Sequence, residues 1–397
     1  MPSATDRDYL VALALAPGVG PRRLDLVLRC FGEARKAWEA PEEVVAAVPG
    51  LPRKVARDLC SWRGRVDPGT LRRRMAEAGL WTVTSVDGDW PPGLLSVAER
   101  PVVLCGRGDP ACLRRSAVAV VGTRRPTPYG LEMTASIAGG LASAGMSIVS
   151  GLALGVDGAA HRAALAAGGV TVAVLGSGHE HLYPRAHRGL AEEIARAGGA
   201  VISQFAPDTL PLKGNFIARN RVVAGLALGV VVTEAPAGSG ALSTAAFARD
   251  YGRPVMVVPG PVSTEAAGCL ELLRSGAAAV GGAEHVLETL GCGGGMGPLF
   301  QGRPGGFTAQ ATEAGPGALD SLTVLNSDQR KVLRALRPGE TLPFDRLLER
   351  SGLRAERLGT ALGRLEVQGL ICRRPAGYCL ARGESGAGMR PTGGRRT

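Results

Sequence analysis

Lys213, Phe216, Arg219 and Arg221 fall within a nine-residue span of a chain that has only 7 Phe and 46 Lys and Arg. Cations contact phosphates and an aromatic face stacks on a base, so this mixture suits single-stranded nucleic acid. Asn220 sits inside the same span. Downstream, Ala237-Gly238-Ser239-Gly240 forms a Gly-rich turn before an Ala-rich helical stretch. Such a turn lets backbone amides at a helix N-terminus face a phosphate, so Gly238, Ser239 and Gly240 join the candidate site. A third group is Gly122, Thr123, Arg124 and Arg125. Gly122 permits close approach, Thr123 offers a hydroxyl, and either arginine can fork onto a phosphate.

Other residues could carry different chemistry. Asp157 and His161 are four apart, hence on one helix face. They are either a catalytic pair or a helix-capping Asp with a His satisfied by it. The second reading is favoured, because neither Ser150 nor Ser177 stands in a G-x-S-x-G motif. His179, Glu180 and His181 are two loop histidines with a carboxylate between them and no clear third protein ligand, weak grounds for a metal. No metal, cofactor or catalytic group is expected.

These groups need a scaffold. Six short apolar runs, at 117–122, 146–151, 170–175, 200–205, 229–234 and 254–260, alternate with Ala-rich helical stretches. Nearly continuous apolar character means strands covered on both faces, and alternation with helices means βαβ units on a parallel sheet. Several runs end in Gly, so the candidate residues lie on loops at strand C-termini. The Arg219–Arg221 cluster is expected just before an apolar helix.

Charge divides unevenly along the 397 residues. The net is +11, of which residues 326–397 carry +8 while 109–290 are nearly neutral. A polyanionic partner is the natural reading. The 8 cysteines include no C-x-x-C pair and read as reduced cytosolic thiols. The N-terminus lacks signal-peptide blocks and no apolar run reaches spanning length, so a cytoplasmic protein without a membrane partner is expected. Residues 1–66 read as a helical unit with two Gly-containing turns, at 16–22 and 48–54, of helix-hairpin-helix character. Residues 67–108 read as a connector, 109–290 as the core and 291–325 as a flexible Gly/Pro/Ala-rich linker. Residues 326–381 read as three helices and a hairpin, a winged-helix pattern with 354–368 in the recognition position and bearing Arg354, Arg357 and Arg364. Residues 382–397 form a basic tail.

Six segments resemble one family. They are GTRRPTPYG at 122–130, SGLALGVDGAAHRAAL at 150–165, TVAVLGSGHEHLYP at 171–184, NFIARNRVVAGL at 215–226, EAPAGSGALSTAAFARDYGRPVMVVPG at 234–260 and RSGA at 274–277. The family is DNA processing protein A (DprA/Smf). The resemblance implies an extended Rossmann-like α/β core, an N-terminal sterile-alpha-motif-like or helix-hairpin-helix-like domain, and a C-terminal winged helix. It implies a homodimer, not an enzyme, that binds single-stranded DNA and helps load the RecA recombinase during natural transformation, with single-strand-binding protein as a further partner. Carried over, the DNA-facing positions are Gly122, Thr123, Arg124 or Arg125, Lys213, Phe216, Asn220 and Arg221. Two alternatives stand beside it. A nucleotide phosphoribohydrolase of the lysine-decarboxylase-like type has a similar Gly-rich turn but needs a Glu just after it, and Gly240–Ala245 holds no carboxylate. A basic scaffold that recruits partners through its end domains is the other.

Overall fold

Nine strands in one sheet carry the candidate residues on the loops and helices that connect them. The computed structural model describes residues 4–97, 99–292, 327–336, 340–367, 370–374 and 377–380. They fall into two units, Met1–Leu290 and Gly291–Thr397.

In the first unit the strands are β1 (Trp81–Thr84), β2 (Val103–Gly108), β3 (Ala117–Val121), β4 (Ser147–Ser150), β5 (Thr171–Val174), β6 (Ala200–Ser203), β7 (Val230–Val232), β8 (Val255–Val257) and β9 (Ala278–Ala279). Their spatial order is β1-β2-β6-β5-β4-β3-β7-β8-β9. From β6 through β9 every pairing is parallel. Within β3 the side chains alternate between two cores. Ala117, Ala119 and Val121 face one, and Val118 and Val120 face the other. Both faces are therefore dry, which is why these strands are continuous apolar runs. After β3 the chain winds towards β6; after β7 it winds the other way. The order reverses between β3 and β7, and a crevice opens there at the strands' carboxyl ends.

The stretch 67–108 is more than a connector. It forms a helix, Pro68–Glu77, a short helix, Pro92–Leu95, and the strands β1 and β2. β2 pairs antiparallel with β6, and β1 antiparallel with β2. The Trp81 indole lies flat over Gly106, where a Cβ would come within 2.3 Å of the ring. β1 is the edge strand and alternates apolar with polar residues; β2 is covered on both faces over Val103–Cys105 but ends in the exposed Arg107 and Gly108, so its apolar run is short.

Ahead of the sheet, short helices pack around Leu13, Leu24, Ala37, Val45 and Leu59. A capping box between Thr5 and Asp8 starts the first of them. Gly18 and Gly50 take left-handed conformations, with φ of 73° and 80°, in the turns before the helices Pro21–Phe31 and Arg53–Arg63. Only Gly adopts that conformation without strain.

The second unit has helices Ser327–Ala335, Phe344–Ser351 and Ala355–Val367, then an antiparallel hairpin of β10 (Ile371–Arg374) and β11 (Gly377–Leu380). Val332, Leu347, Leu358 and Leu365 form its core. Leu342 and Tyr378 exchange backbone hydrogen bonds of 2.8 and 2.9 Å, closing the hairpin onto the preceding segment. Three helices and a wing are the expected winged-helix arrangement. On its third helix Arg357 makes a two-point ion pair with Asp328, at 2.8 and 2.9 Å, and Arg354, just ahead of that helix, is exposed. The Arg364 side chain, nearly all of the linker and the basic tail lie outside the described residues. Among the described residues, no helix is long and apolar enough to cross a membrane.

Candidate nucleic-acid interface

A cleft of about 1150 Å³ lies over the carboxyl ends of the central strands. Its walls include Gly122–Arg125, Lys213, Phe216, Arg219, Asn220 and Gly238–Gly240. All the candidate residues except Arg221 line it.

The loop after β3 is built to project its arginines. Thr123 N–H donates to the Glu234 carbonyl at 2.7 Å, and Val156 N–H donates to the Thr123 carbonyl at 3.1 Å. Gly122 fits because a Cβ there would lie 2.7 Å from the Glu234 carbonyl oxygen. The buried Glu234 carboxylate accepts from Thr127 N–H, at 3.1 and 3.2 Å, and from its hydroxyl at 2.7 Å. The loop is thus pinned to the end of β7, and Arg124 and Arg125 are left exposed above it. Thr123 is buried, and its hydroxyl accepts from Arg125 N–H at 3.2 Å. It shapes the loop rather than offering a free hydroxyl.

The helix Lys213–Leu226 begins earlier than expected. It starts two residues after Pro211 and holds the whole Arg219–Arg221 cluster within it. Consecutive helical residues point about 100° apart, so the three side chains separate. Arg219 is buried. It donates to the carbonyls of Gly151 and Val174, the second at 2.5 Å, and to Asn220 Oδ1 at 3.1 Å. Burial pushes its guanidinium down and the nearby Asp157 opposes this. Arg219 therefore ties the ends of β4 and β5 to the helix and is not free for a phosphate. Asn220 donates to Ser243 Oγ at 2.8 Å and to the Gly240 carbonyl at 3.2 Å, clamping the start of the next helix. Arg221 turns away from the cleft. It pairs with Glu99 and its guanidinium lies 4.9 Å from the Phe247 ring centroid. Lys213 alone of the basic residues in this span is exposed at the cleft.

Two helix N-termini meet at the cleft. The Lys213 helix has Leu212 at its N-cap, which supplies no side-chain acceptor for the first-turn amides. The helix Gly240–Asp250 follows the expected turn. Gly238 is left-handed at φ 72°, and Ser239 caps with its hydroxyl on Ala241 N–H at 3.4 Å. Both ends direct partial positive charge into the crevice.

Phe216 is half-buried. It covers Gly176, where a Cβ would lie 2.5 Å from its ring. The guanidinium carbons of Arg124 and Arg219 stand 5.8 and 5.9 Å from its centroid. Tyr183 meets its edge at 5.8 Å and 66°.

Asp157 and His161 are both buried but do not pair. Asp157 accepts from the amides of Gly151 and Ala153 at 3.1 and 3.3 Å, and burial pushes its carboxyl up. His161 Nδ1 is 2.7 Å from Thr171 Oγ1, and burial pushes the imidazole down to about 3. The expected pairing of the two is not found: the histidine's partner is Thr171 and the carboxylate's are the two amides. His179 Nε2 lies 3.2 Å from the Cys105 carbonyl, and burial pushes its ring down to about 4. Burial pushes the Cys105 and Cys112 thiols up to about 12, far from reactive thiolates. Glu234 and Tyr183 were not among the expected site residues. The signal for Glu234 was a lone carboxylate closing an apolar strand directly before a Gly-rich turn.

A doubly wound parallel sheet with a cleft at its switch point, and a separate winged-helix unit, define a protein of the Rossmann-like α/β class. Residues 81–291 match the family model described as DNA recombination-mediator protein A, and residues 316–377 match the DprA winged helix domain. The chain belongs to the DNA recombination-mediator protein A family, also called DprA/Smf. It is 40% identical to the putative DNA processing protein DprA of Mycobacterium tuberculosis, over 96% of this chain and 98% of that one. It is 33% identical to protein Smf of Synechocystis sp., over 94% of this chain and 98% of the relative. The solved structure of DNA processing protein A from Streptococcus pneumoniae covers 72% of this chain and 98% of its own, at 31% identity and a TM-score of 0.62.

Proposed function

We propose that this chain binds single-stranded DNA in the switch-point cleft and delivers it to a RecA-type recombinase during transformation, acting as a cytoplasmic homodimer and not as an enzyme. The observation that carries the binding reading is the convergence of exposed Arg124, Arg125 and Lys213 with two helix N-termini over one crevice. Charges and amides aimed at phosphates hold a strand without reading its sequence. The cleft is broad, and its bonded framework is internal: Arg219, Asn220, Thr123 and Ser239 support the wall. Recombinase delivery and dimerisation rest on family membership.

A glycosidic or phosphoester hydrolase would need a carboxylate aimed at the reacting atoms. Glu234 is committed to Thr127 and Asp157 to backbone amides. Glu265 lies exposed at the cleft rim, and hydrogen bonds from its own amide, Ser263 and Thr264 hold its carboxyl below the usual range. Of these, Asp157 has its carboxyl pushed up by burial, but both its amide contacts and its burial hold it within the wall. The test is titration of labelled single- and double-stranded oligonucleotides at several salt concentrations. Salt-dependent binding with preference for the single strand is expected. Salt-independent affinity, or a preference for duplex by residues 1–290 alone, would overturn the proposal.

A further inference from the structure

We infer that a DNA strand leaves the cleft along the groove between the helices Lys213–Leu226 and Gly240–Asp250, and that Glu99 gates this path by filling the seat of a phosphate with its own carboxylate; this rests on the single-strand reading above. On this side the cleft wall includes Asn220 and Ser243, joined at 2.8 Å. Phe247 and Tyr251 follow Ser243 at four-residue steps, hence on the same helix face, and their rings stack at 6.4 Å and 14°. From the neighbouring helix Arg221 approaches to 4.9 Å from the Phe247 centroid. It stands eight residues beyond Lys213, about 12 Å along the helix. The groove therefore leads out of the cleft past a cation.

At Arg221 two arginines converge on one carboxylate. Arg221 pairs with Glu99 Oε2, and Arg22, in the first turn of the helix Pro21–Phe31, stands 3.3 Å from Oε1. Two guanidinium groups on one carboxylate present the same donors that they would offer a phosphodiester. The Glu99 backbone is left-handed at φ 54°, a conformation that only one other non-Gly residue, Leu152, adopts among the described residues. Such outliers cluster at clamps and switches. The seat is open to solvent: the side chains of Arg22, Arg221 and Glu99 are 81%, 36% and 33% exposed. An exposed pair of this kind contributes little, so a phosphate can displace the carboxylate. The plainer role is a staple between the N-terminal helices and the sheet. That junction is already fastened elsewhere, by Arg7 on Asp87 and the Thr82 carbonyl and by Val11 and Leu15 packed with Val103 and Cys105.

The experiment compares full-length wild type, Glu99→Gln, Glu99→Gly and the triple variant Glu99→Gln/Arg22→Ala/Arg221→Ala. Each is titrated over a salt series, with melting curves alongside, on oligothymidylates of about 6 and about 20 nucleotides, within and beyond the footprint of one binding module. Freeing two arginines adds two phosphate contacts on the longer strand. Both single variants should bind it about tenfold tighter at low salt, with a salt slope steeper by about 1.4. On the short strand they should match wild type, and the triple variant should match wild type on both. Glu99→Gly removes the carboxylate and also relieves the left-handed backbone, so it carries the test if the Gln variant is unstable. An unchanged slope on the long strand makes Glu99 a staple and overturns the inference. Equal tightening on both strands, or tightening that persists in the triple variant, overturns it too, because the gate acts beyond the cleft and through these arginines. Failure of wild type to bind either strand would instead sink the single-strand reading, and the gate with it.

Discussion

Replacing Lys213 should separate binding from stability in opposite directions. The side chain is exposed at the first position of its helix, where the helix dipole is unfavourable to a cation. It has no ion-pair partner among the described residues. Lys213→Ala should therefore leave thermal stability unchanged or raise it by up to about 0.5 kcal/mol. The binding cost follows from counting the cations the cleft can offer. Arg219 is buried and bonded to carbonyls, and Arg221 faces Glu99 and Phe247, so Arg124, Arg125 and Lys213 remain. At roughly 0.7 per phosphate contact on a single strand, residues 1–290 should show a slope of log K against log salt near about −2. Lys213→Ala should bring it to about −1.4, with affinity falling about three- to tenfold at low salt. Arg221→Ala serves as the counter-test. It should leave the slope untouched and lower stability, because it breaks the Glu99 pair and the Phe247 contact. Fluorescence anisotropy at five or six salt concentrations, with melting curves alongside, measures both quantities. An unchanged slope for Lys213→Ala, or a loss for Arg221→Ala equal to that for Lys213→Ala, would refute the assignment of these faces.

Glu234→Ala removes a negative charge beside the cleft, which on Coulombic grounds alone would tighten DNA binding. Because it also frees Thr127 N–H and the loop that carries Arg124, we expect weaker binding and a loss of about 1–3 kcal/mol in urea unfolding; tighter binding would show that the loop needs no pin. His161 is held neutral at about 3 and His179 at about 4, whereas both titrate near 6.5 when unfolded. The unfolded chain then binds more protons below 6.5, so stability is full above that value and falls as pH drops, by about 1 kcal/mol per histidine between pH 6.5 and 5.5. His161→Gln should flatten that part of the stability–pH profile, and an unaltered slope would mean that the buried imidazole is not the source. Removing residues beyond 290 deletes the strongly basic second unit, so single-strand affinity should fall and the salt slope become shallower, while binding stays detectable; identical slopes for full-length and truncated protein would assign the winged helix to protein docking.

Six of the seven strands of the parallel sheet, β3 to β8, were legible because burial on both faces leaves no room for polar residues; β9, two residues at the sheet edge, is too short and too exposed to leave such a run. β1 and β2 were not. Trp81-Thr82-Val83-Thr84 alternates, and the doubly buried part of β2 is only the short stretch Val103–Cys105 before Gly106-Arg107-Gly108, too brief to stand out as a run. Their place in the sheet depends on the Trp81–Gly106 contact and the pairing with β6, both of which are long-range. The winged-helix unit was legible because its helices are short, amphipathic and separated by Gly and Pro. The function of its arginines was less so. Whether Arg357 is free depends on Asp328, 29 positions away, and no local pattern encodes that pair.

The site shows the same division more sharply. Residue types at Gly122–Arg125, Lys213 and Gly238–Gly240 pointed to one shared site, and all of them line one cleft. What composition could not say is which groups face the ligand and which hold the wall. Placing Arg219, Asn220 and Arg221 ahead of the helix makes them three free polar groups on a loop; Pro211 moves the helix start upstream of all three, and helical geometry then sends one inward, one across and one away. The inward group is the costly one. A buried guanidinium needs acceptors, and the Gly151 and Val174 carbonyls supply them only because Gly151 has no side chain to block the approach. A cation-rich span inside a helix therefore spends part of its charge on structure, and the cation this span leaves exposed at the cleft is the residue at the helix start, Lys213, rather than the arginines that first draw attention.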